Sequence, residues 1–389
     1  MAKQYLWKTL GLGLFAASTL AYAPAASAKT LGFVLTKWHY AGQFTPDAKL
    51  ECPQGFAPGL RDNFRAVFKT KEEQEAQITK YAGIEMRARG PNGESETYSP
   101  ELVEDPLPHQ EGQGKISRGF NLDGTKDGAA TNKSCAHAKF SSPDNAAQKD
   151  IDNQLYRSMA CIKGMRPDGV SDGLANSELI GKLINRLLIE VTGVDDEAND
   201  DHVEVTIAHG LDKVVQDASG NFIPGLTQRM DEKAAAYIFH VNGKIVNHVL
   251  ITDAMPNLEI GQMPGPVEMG IRAFKDARLQ IKIGPDRTTA VVGGYHDVDR
   301  FYRFWAKTVG QHSVIANASA PSFWRSIQKM ADGYKDPTTG KCTAISAAYD
   351  LELVRAFIVR EKVKDNKISE SAPAGQSADT KVALADNAQ

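Results

Sequence analysis

The chain has 389 residues, with 45 Lys and Arg against 48 Asp and Glu, a formal net charge of -3. That balance excludes the basic footprint a nucleic-acid partner needs. The length is enough for one large domain or two ordinary ones, so core size sets no limit.

The N-terminus reads as a secretory signal peptide over residues 1–28. Lys3 and Lys8 precede an apolar stretch from Leu10 to about Ala23, and Ala26-Ser27-Ala28 supplies a small-x-small cleavage site. The stretch is short and interrupted by Gly, Ser and Pro24, so a membrane span is the weaker reading. A chain starting at Lys29 loses Lys3 and Lys8, and its formal charge moves from -3 to -5. The expectation is a secreted or periplasmic protein that does not span a membrane.

Cys52, Cys135, Cys161 and Cys342 all follow the leader. An even count in an exported chain predicts two disulfides rather than a zinc site, whose close Cys spacing is missing. Three pairings are open. Cys135–Cys161 is the natural local one across a polar stretch, which leaves Cys52–Cys342 to tie the ends of the fold.

Leu31 to Tyr40 predicts a strand. Leu60 to Tyr81 predicts a helix stopped by Gly83. Residues 90–114, rich in Pro, Gly, Glu and Ser, predict a long surface loop. The N-terminal region is therefore drawn as 29–114. Lys115 to Leu122 predicts a strand running into the turn-rich Asp123–Gly128, and Asp150 to Met159 a short helix. Beyond Pro167 the chain turns to β. Leu187–Val194 and Val203–Ile207 alternate, and Asn242-Gly243 predicts a hairpin between Tyr237–Val241 and Lys244–Thr252. Ala277–Gly284 and Thr288–Gly294 predict a second hairpin around Pro285-Asp286.

Asp297 and Ser319 are placed to cap two helices, with Val298, Phe301, Tyr302 and Trp305 on one stripe and Phe323, Trp324, Ile327 and Met330 on the other. A last strand covers Ala347 to Val359, and the polar 362–389 reads as a disordered tail. Strands joined by hairpins predict a mainly β (α+β) fold. The expected form is an antiparallel β-sandwich or jelly-roll-like core at 115–361 with several attached helices.

Five groups are candidates for chemistry or binding. The run Asp195, Asp196, Glu197, Asn199, Asp200 and Asp201 offers the oxygen ligands calcium takes, so Asp195, Asp196, Asn199, Asp200 and Asp201 form the candidate site for a structural Ca²⁺. A solvated acidic turn is the plainer alternative. Asp123, Asp127, Asp150, Asp152 and Asn153 would share an ion only where their loops meet. Gly169-Val170-Ser171-Asp172-Gly173 matches G-x-S-x-G, although Arg166-Pro167-Asp168 is a poor strand end for a nucleophile elbow. His202, His209, His240 and His248 flank strands without metal-site spacing. Trp38, Tyr40, Tyr295, Tyr302, Trp305 and Trp324 fit either a ligand platform or, at helical spacing, core packing. The sequons at Asn132 and Asn317 read as chance in a chain with a bacterial-type leader.

Cys135-Ala136-His137, Ile151-Asp152-Asn153-Gln154-Leu155-Tyr156-Arg157, Ile189–Asp196 with Asn199-Asp200-Asp201, and Gly293-Gly294-Tyr295 together resemble a family of exported bacterial proteins with no settled activity. The resemblance covers most of the mature chain and carries no catalytic residue across. It implies that the Asp-rich run and the Asp-Asn-Gln segment belong to one recurring design. The functional expectation is a secreted or periplasmic binding protein for a small molecule, a carbohydrate or a protein. The alternative is a secreted hydrolase of esters or glycosides, through Ser171 and a histidine or through a carboxylate pair at Glu190 or Asp195.

Overall fold

The structure is a computed structural model that describes residues 28–80, 88–167, 169–181, 186–261, 271–309 and 316–360. The leader and tail assignments lie outside these residues.

Among the described residues the strands are β1 (Lys29–Tyr40), β2 (Arg186–Val194), β3 (Asn199–Gly210), β4 (Leu226–Arg229), β5 (Phe239–Val246), β6 (Val249–Thr252), β7 (Met255–Gly261), β8 (Ile271–Lys282), β9 (Arg287–Asp297), β10 (Gly333–Lys335) and β11 (Cys342–Val359). Hydrogen bonding runs β1-β2-β3-β5-β6-β8-β9-β11, and β1 also pairs with β11. That last pairing closes the sheet into an antiparallel barrel of eight strands. The expected sandwich or jelly roll is therefore wrong. Phe33 lies opposite Ile189 of β2 on one side and Arg355 of β11 on the other. Hairpin patterning is the same for a sandwich and a barrel, because closure depends on one long-range pairing that periodicity does not carry.

Alternation along the strands sorts two layers. Phe33, Leu35, Ile189, Val191, Val205, Val292, Leu351 and Leu353 belong to one large buried core. Their neighbours Val34, Leu188, Ala208 and Val354 form a second cluster with Val214, Phe222 and Met230, from the segment between β3 and β5. β4 pairs in parallel with the end of β11, off the barrel path.

The helices are α1 (Leu60–Ala66), α2 (Lys71–Lys80), α3 (Gln154–Met159), α4 (Val170–Gly181), α5 (Val298–Val309) and α6 (Ala320–Lys329). Asp297 caps α5, accepting from the Arg300 N–H at 3.0 Å, and Ser319 caps α6. Trp305 and Phe323 join the large core with their rings 4.7 Å apart. The single helix expected over 60–81 is broken in two. Thr70 and Glu73 form a reciprocal capping box, each accepting from the other's backbone N–H, and this starts a new helix at Lys71.

Two local expectations are corrected. Asn242-Gly243 is not a turn. β5 runs through it, and the reversal falls at Asn247-His248, with φ of 50° and 63°. Lys115–Leu122 forms only isolated bridges, Ile116 to Ser141 and Phe120 to Asp152. Its backbone is held by side chains and neighbouring loops instead of a ladder.

The disulfides are Cys52–Cys161 and Cys135–Cys342, which corrects the pairing inferred from chain proximity. The fold brings the sulfurs together across 109 and 207 residues. Cys135 donates its N–H to the Asp332 carbonyl, and Ser134 bridges to Gly333, so the 131–137 loop is laid against the β10–β11 hairpin. No helix among the described residues is long and apolar enough to cross a membrane.

Candidate functional site

Two loops and one hairpin converge beside the barrel. The first loop carries Asp123, the second carries Ser134, His137 and Lys139 and leads into Asp152, and the hairpin approach carries Asp332. Among the described residues, Asp123, His137 and Asp152 are the one group of three whose potential metal-ligand atoms all lie within 4.8 Å of one another. Their side chains are 2%, 3% and 0% exposed, and Lys139 is 5% exposed, so water contributes little to screening them.

The ring of His137 is fixed at both ends. Nδ1 lies 2.8 Å from the Cys135 carbonyl, which only accepts, so Nδ1 carries a proton. Nε2 lies 2.7 Å from Oδ1 of Asp152 and 3.8 Å from both Oδ2 of Asp123 and Oδ2 of Asp332. The ammonium of Lys139 sits 2.6 Å from Oδ1 of Asp123 and 2.6 Å from Oδ1 of Asp152. Burial works against a charged imidazole, but the Asp152 hydrogen bond and the Asp332 charge outweigh it and hold the His137 pKa above its usual value. Burial likewise opposes ionisation of Asp123, yet the Lys139 and Thr125 hydrogen bonds bring its pKa below the carboxylate norm.

Asp332 differs from the other two carboxylates. Oδ1 accepts the Ser346 N–H at 2.7 Å, whereas Oδ2 is buried with no hydrogen-bond partner. Burial pushes its pKa up to about 7, against the pull of His137.

Asp152-Asn153-Gln154 anchors the centre to the barrel. Oδ2 of Asp152 accepts the Leu122 N–H at 2.7 Å. Asn153 donates to the Ala41 carbonyl and accepts from the Ala348 N–H, so it ties the residue that follows β1 to β11. Gln154 donates to the Ala138 carbonyl, next to both His137 and Lys139.

A cleft of about 650 Å³ opens over this centre, lined by Leu122, Asp123, Ser134, Asp276, Tyr295 and Tyr334 with Lys133 and Lys335 at its sides. Asp276 and Tyr334 both have positive φ, 50° and 54°, and Tyr334 Oη donates to Asp276 at 2.7 Å. Such backbone strain, on the order of 1–3 kcal/mol per residue, is held only where surroundings enforce it, and it concentrates at ligand sites. Asp276 falls where the β8–β9 register shifts, between Lys275 and Arg278. Burial first, then the charges of Asp332, Asp152 and Asp123, drive the Tyr295 pKa upward, so its phenol links cleft and centre.

A second cleft, about 710 Å³, lies between the 118–150 loops and β6, β8 and β9. Its Arg118 is committed to Asp144 and Asp350, and Arg278 to the Asn121 carbonyl. Among the described residues no group of three potential metal ligands lines it, so the Asp123 cleft is the stronger candidate.

Of the residues that the sequence nominated, Asp123 and Asp152 meet. Asp150 instead accepts from Asn121, and Asp127 accepts from the Ala129 N–H. The 195–201 run forms the β2–β3 connection and the start of β3, away from the centre. Asp200 accepts from the Asp195 and His202 N–H groups, Asp196 from the Ala198 N–H, and Asn199 from the Asn247 N–H. Asp201 is exposed. The run's side-chain oxygens are thus largely used in shaping the turn.

Ser171 sits in the first turn of α4 with its hydroxyl buried and without a hydrogen-bond partner, so no histidine among the described residues stands ready to deprotonate it. Glu190 is paired with Arg360. The four nominated histidines scatter: His202 is exposed, His209 is buried against Tyr237, His240 meets Thr206 and Glu204, and His248 lies in the β5–β6 turn. Among the aromatic candidates, Tyr295 reaches the cleft, Tyr302 and Trp305 are core, and Trp38 and Tyr40 pack on Tyr349. Trp324 is partly buried, packed against the core.

His137, Lys139 and Asp332 were missed as site residues. The only sequence signal for them was the Cys135-Ala136-His137 segment of the resemblance; Lys139 and Asp332 are isolated charges in loops. No protein-family model matches the chain, and no curated protein or solved structure does either.

Proposed function

We propose that this chain is an exported β-barrel binding protein whose ligand, a small polar molecule, seats in the cleft over Asp123. The observation that carries the reading is the coincidence of that cleft with the strained Asp276–Tyr334 pair and a buried ionic floor. Strained backbone and buried charge both oppose folding, and a binding site is where such costs are retained. Both charge signs line the cleft, from Asp123 and Asp276 to Lys133 and Lys335, and this suits a polar or zwitterionic ligand. Export rests on the leader-like N-terminus and on the two disulfides, which persist in oxidising compartments.

The hydrolase alternative has less support, since Ser171 has no base among the described residues and Glu190 is held by Arg360. Isothermal titration against a panel of monosaccharides, amino acids and short peptides tests the binding reading. A hit that Tyr334→Ala and Lys335→Ala each weaken supports it. A panel without hits, or hits indifferent to both substitutions, counts against it.

A further inference from the structure

We infer that the buried centre beneath the cleft binds one divalent first-row transition ion of the Zn²⁺ class, through His137, Asp123, Asp152 and Asp332. The inference goes beyond the cleft reading and does not depend on which molecule the cleft takes.

The first support is geometry. Nδ1–H of His137 is spent on the Cys135 carbonyl, the arrangement that orients a metal-ligating imidazole and leaves Nε2 as the donor. Three carboxylate oxygens, one from each aspartate, face that nitrogen at 2.7, 3.8 and 3.8 Å. The second is the orphaned oxygen. Oδ2 of Asp332 is buried, lies 3.8 Å from His137 Nε2, and has no hydrogen-bond partner. A buried carboxylate oxygen is ordinarily satisfied, and a cation is one of the few partners that would satisfy this one.

The third support is charge. Three aspartates face the two basic side chains of His137 and Lys139, so the acidic groups outnumber the basic ones and a divalent ion would offset the excess. Neutrality matters in a site whose members are all 5% exposed or less. The donor set chooses the class of ion. An imidazole nitrogen among carboxylates suits Zn²⁺, Mn²⁺ or Co²⁺, whereas Ca²⁺ and Mg²⁺ favour oxygen alone. Asp123 belongs to both the cleft wall and the centre, so the cleft supplies an entry path.

Lys139 gives the inference its sharpest test. Its ammonium bridges Asp123 and Asp152 and repels an incoming cation. Lys139→Gln is expected to bind metal at least about tenfold more tightly than the wild type, and a gain cannot arise from misfolding. The experiment is titration of chelator-stripped protein with Co²⁺, followed by visible d–d absorption, and with Zn²⁺ by calorimetry. One equivalent should bind. Asp332→Asn and His137→Gln should each weaken binding at least about tenfold, and Tyr334→Ala should leave it unchanged. Loss of cleft ligands in Tyr334→Ala with Co²⁺ binding intact therefore separates the two readings. The inference is overturned if neither the wild type nor Lys139→Gln binds either ion more tightly than about 100 µM. It is equally overturned if binding is indifferent to Asp332→Asn and His137→Gln.

Discussion

His137 and Asp152 share a hydrogen bond of 2.7 Å although they lie on opposite arms of a loop, and the second ring nitrogen of His137 is tied to the Cys135 carbonyl, next to a disulfide. The imidazole is thus held between a covalent staple and a carboxylate that is itself anchored by Leu122. The staple and the charge centre are mechanically one unit.

The two disulfides should therefore differ in effect. Cys135→Ser with Cys342→Ser should destabilise the protein by about 2–5 kcal/mol and also weaken metal binding, because Cys135 positions both His137 and Asp332. Cys52→Ser with Cys161→Ser should cost a similar amount while leaving metal affinity of the folded protein unchanged. Denaturant melts paired with Co²⁺ titration separate the two.

Much of the barrel's strand content was legible, because Phe33, Ile189, Val205 and Leu351 recur on alternating positions of long β-branched runs. Closure was not, because it rests on the pairing of β1 with β11, more than 300 residues apart, such as Phe33 with Arg355. The Asn242-Gly243 signal misled for a physical reason. Gly243 is required by close cross-strand packing: a Cβ there would lie 3.0 Å from the Ile251 carbonyl oxygen. The turn chemistry lies instead in Asn247-His248, two residues that tolerate the left-handed region better than most. The site was half legible. Asp123 and Asp152 sit in turn-rich segments where carboxylates attract notice, whereas Lys139 and Asp332 gain meaning only from three-dimensional proximity.

That turn can be tested directly. His248→Gly should stabilise the protein by up to about 1 kcal/mol, because glycine adopts φ of 63° without the Cβ penalty. Gly243→Val should destabilise it by about 1–3 kcal/mol through overpacking. Equal effects in thermal melts would place the turn wrongly.

Gly333 controls the cleft from behind. A Cβ at this position would lie 2.3 Å from Cε1 of Tyr295. Gly333→Ala should displace that ring, cost about 1–3 kcal/mol, and weaken cleft ligands more than metal. Retained ligand affinity in the folded variant, by calorimetry, would detach Tyr295 from the site.

Acid should destabilise the protein through two buried histidines outside the proposed ligand set. Burial lowers the pKa of His296 to about 3, where Nδ1 donates to the Ala273 carbonyl and Nε2 meets the Tyr349 hydroxyl. Burial also lowers the pKa of His209 to about 4. In the unfolded chain both titrate near 6.5. Below that value the unfolded state binds protons that the native state refuses, so stability is full above about pH 6.5 and falls as pH drops toward the folded values. The combined loss near pH 4 is on the order of several kcal/mol. His209→Gln should flatten part of this fall in melts from pH 7.5 to pH 4.5. An unchanged slope would show that His209 does not report on folding.

The most direct test is the protonation of the His137 ring, read by long-range proton–nitrogen NMR on chelator-stripped protein and assigned with His137→Gln. Near pH 6.5, both ring nitrogens should carry protons, as their carbonyl and carboxylate partners require. One equivalent of zinc should remove the Nε2 proton and leave Nδ1 protonated. A ring that zinc does not alter would contradict the account.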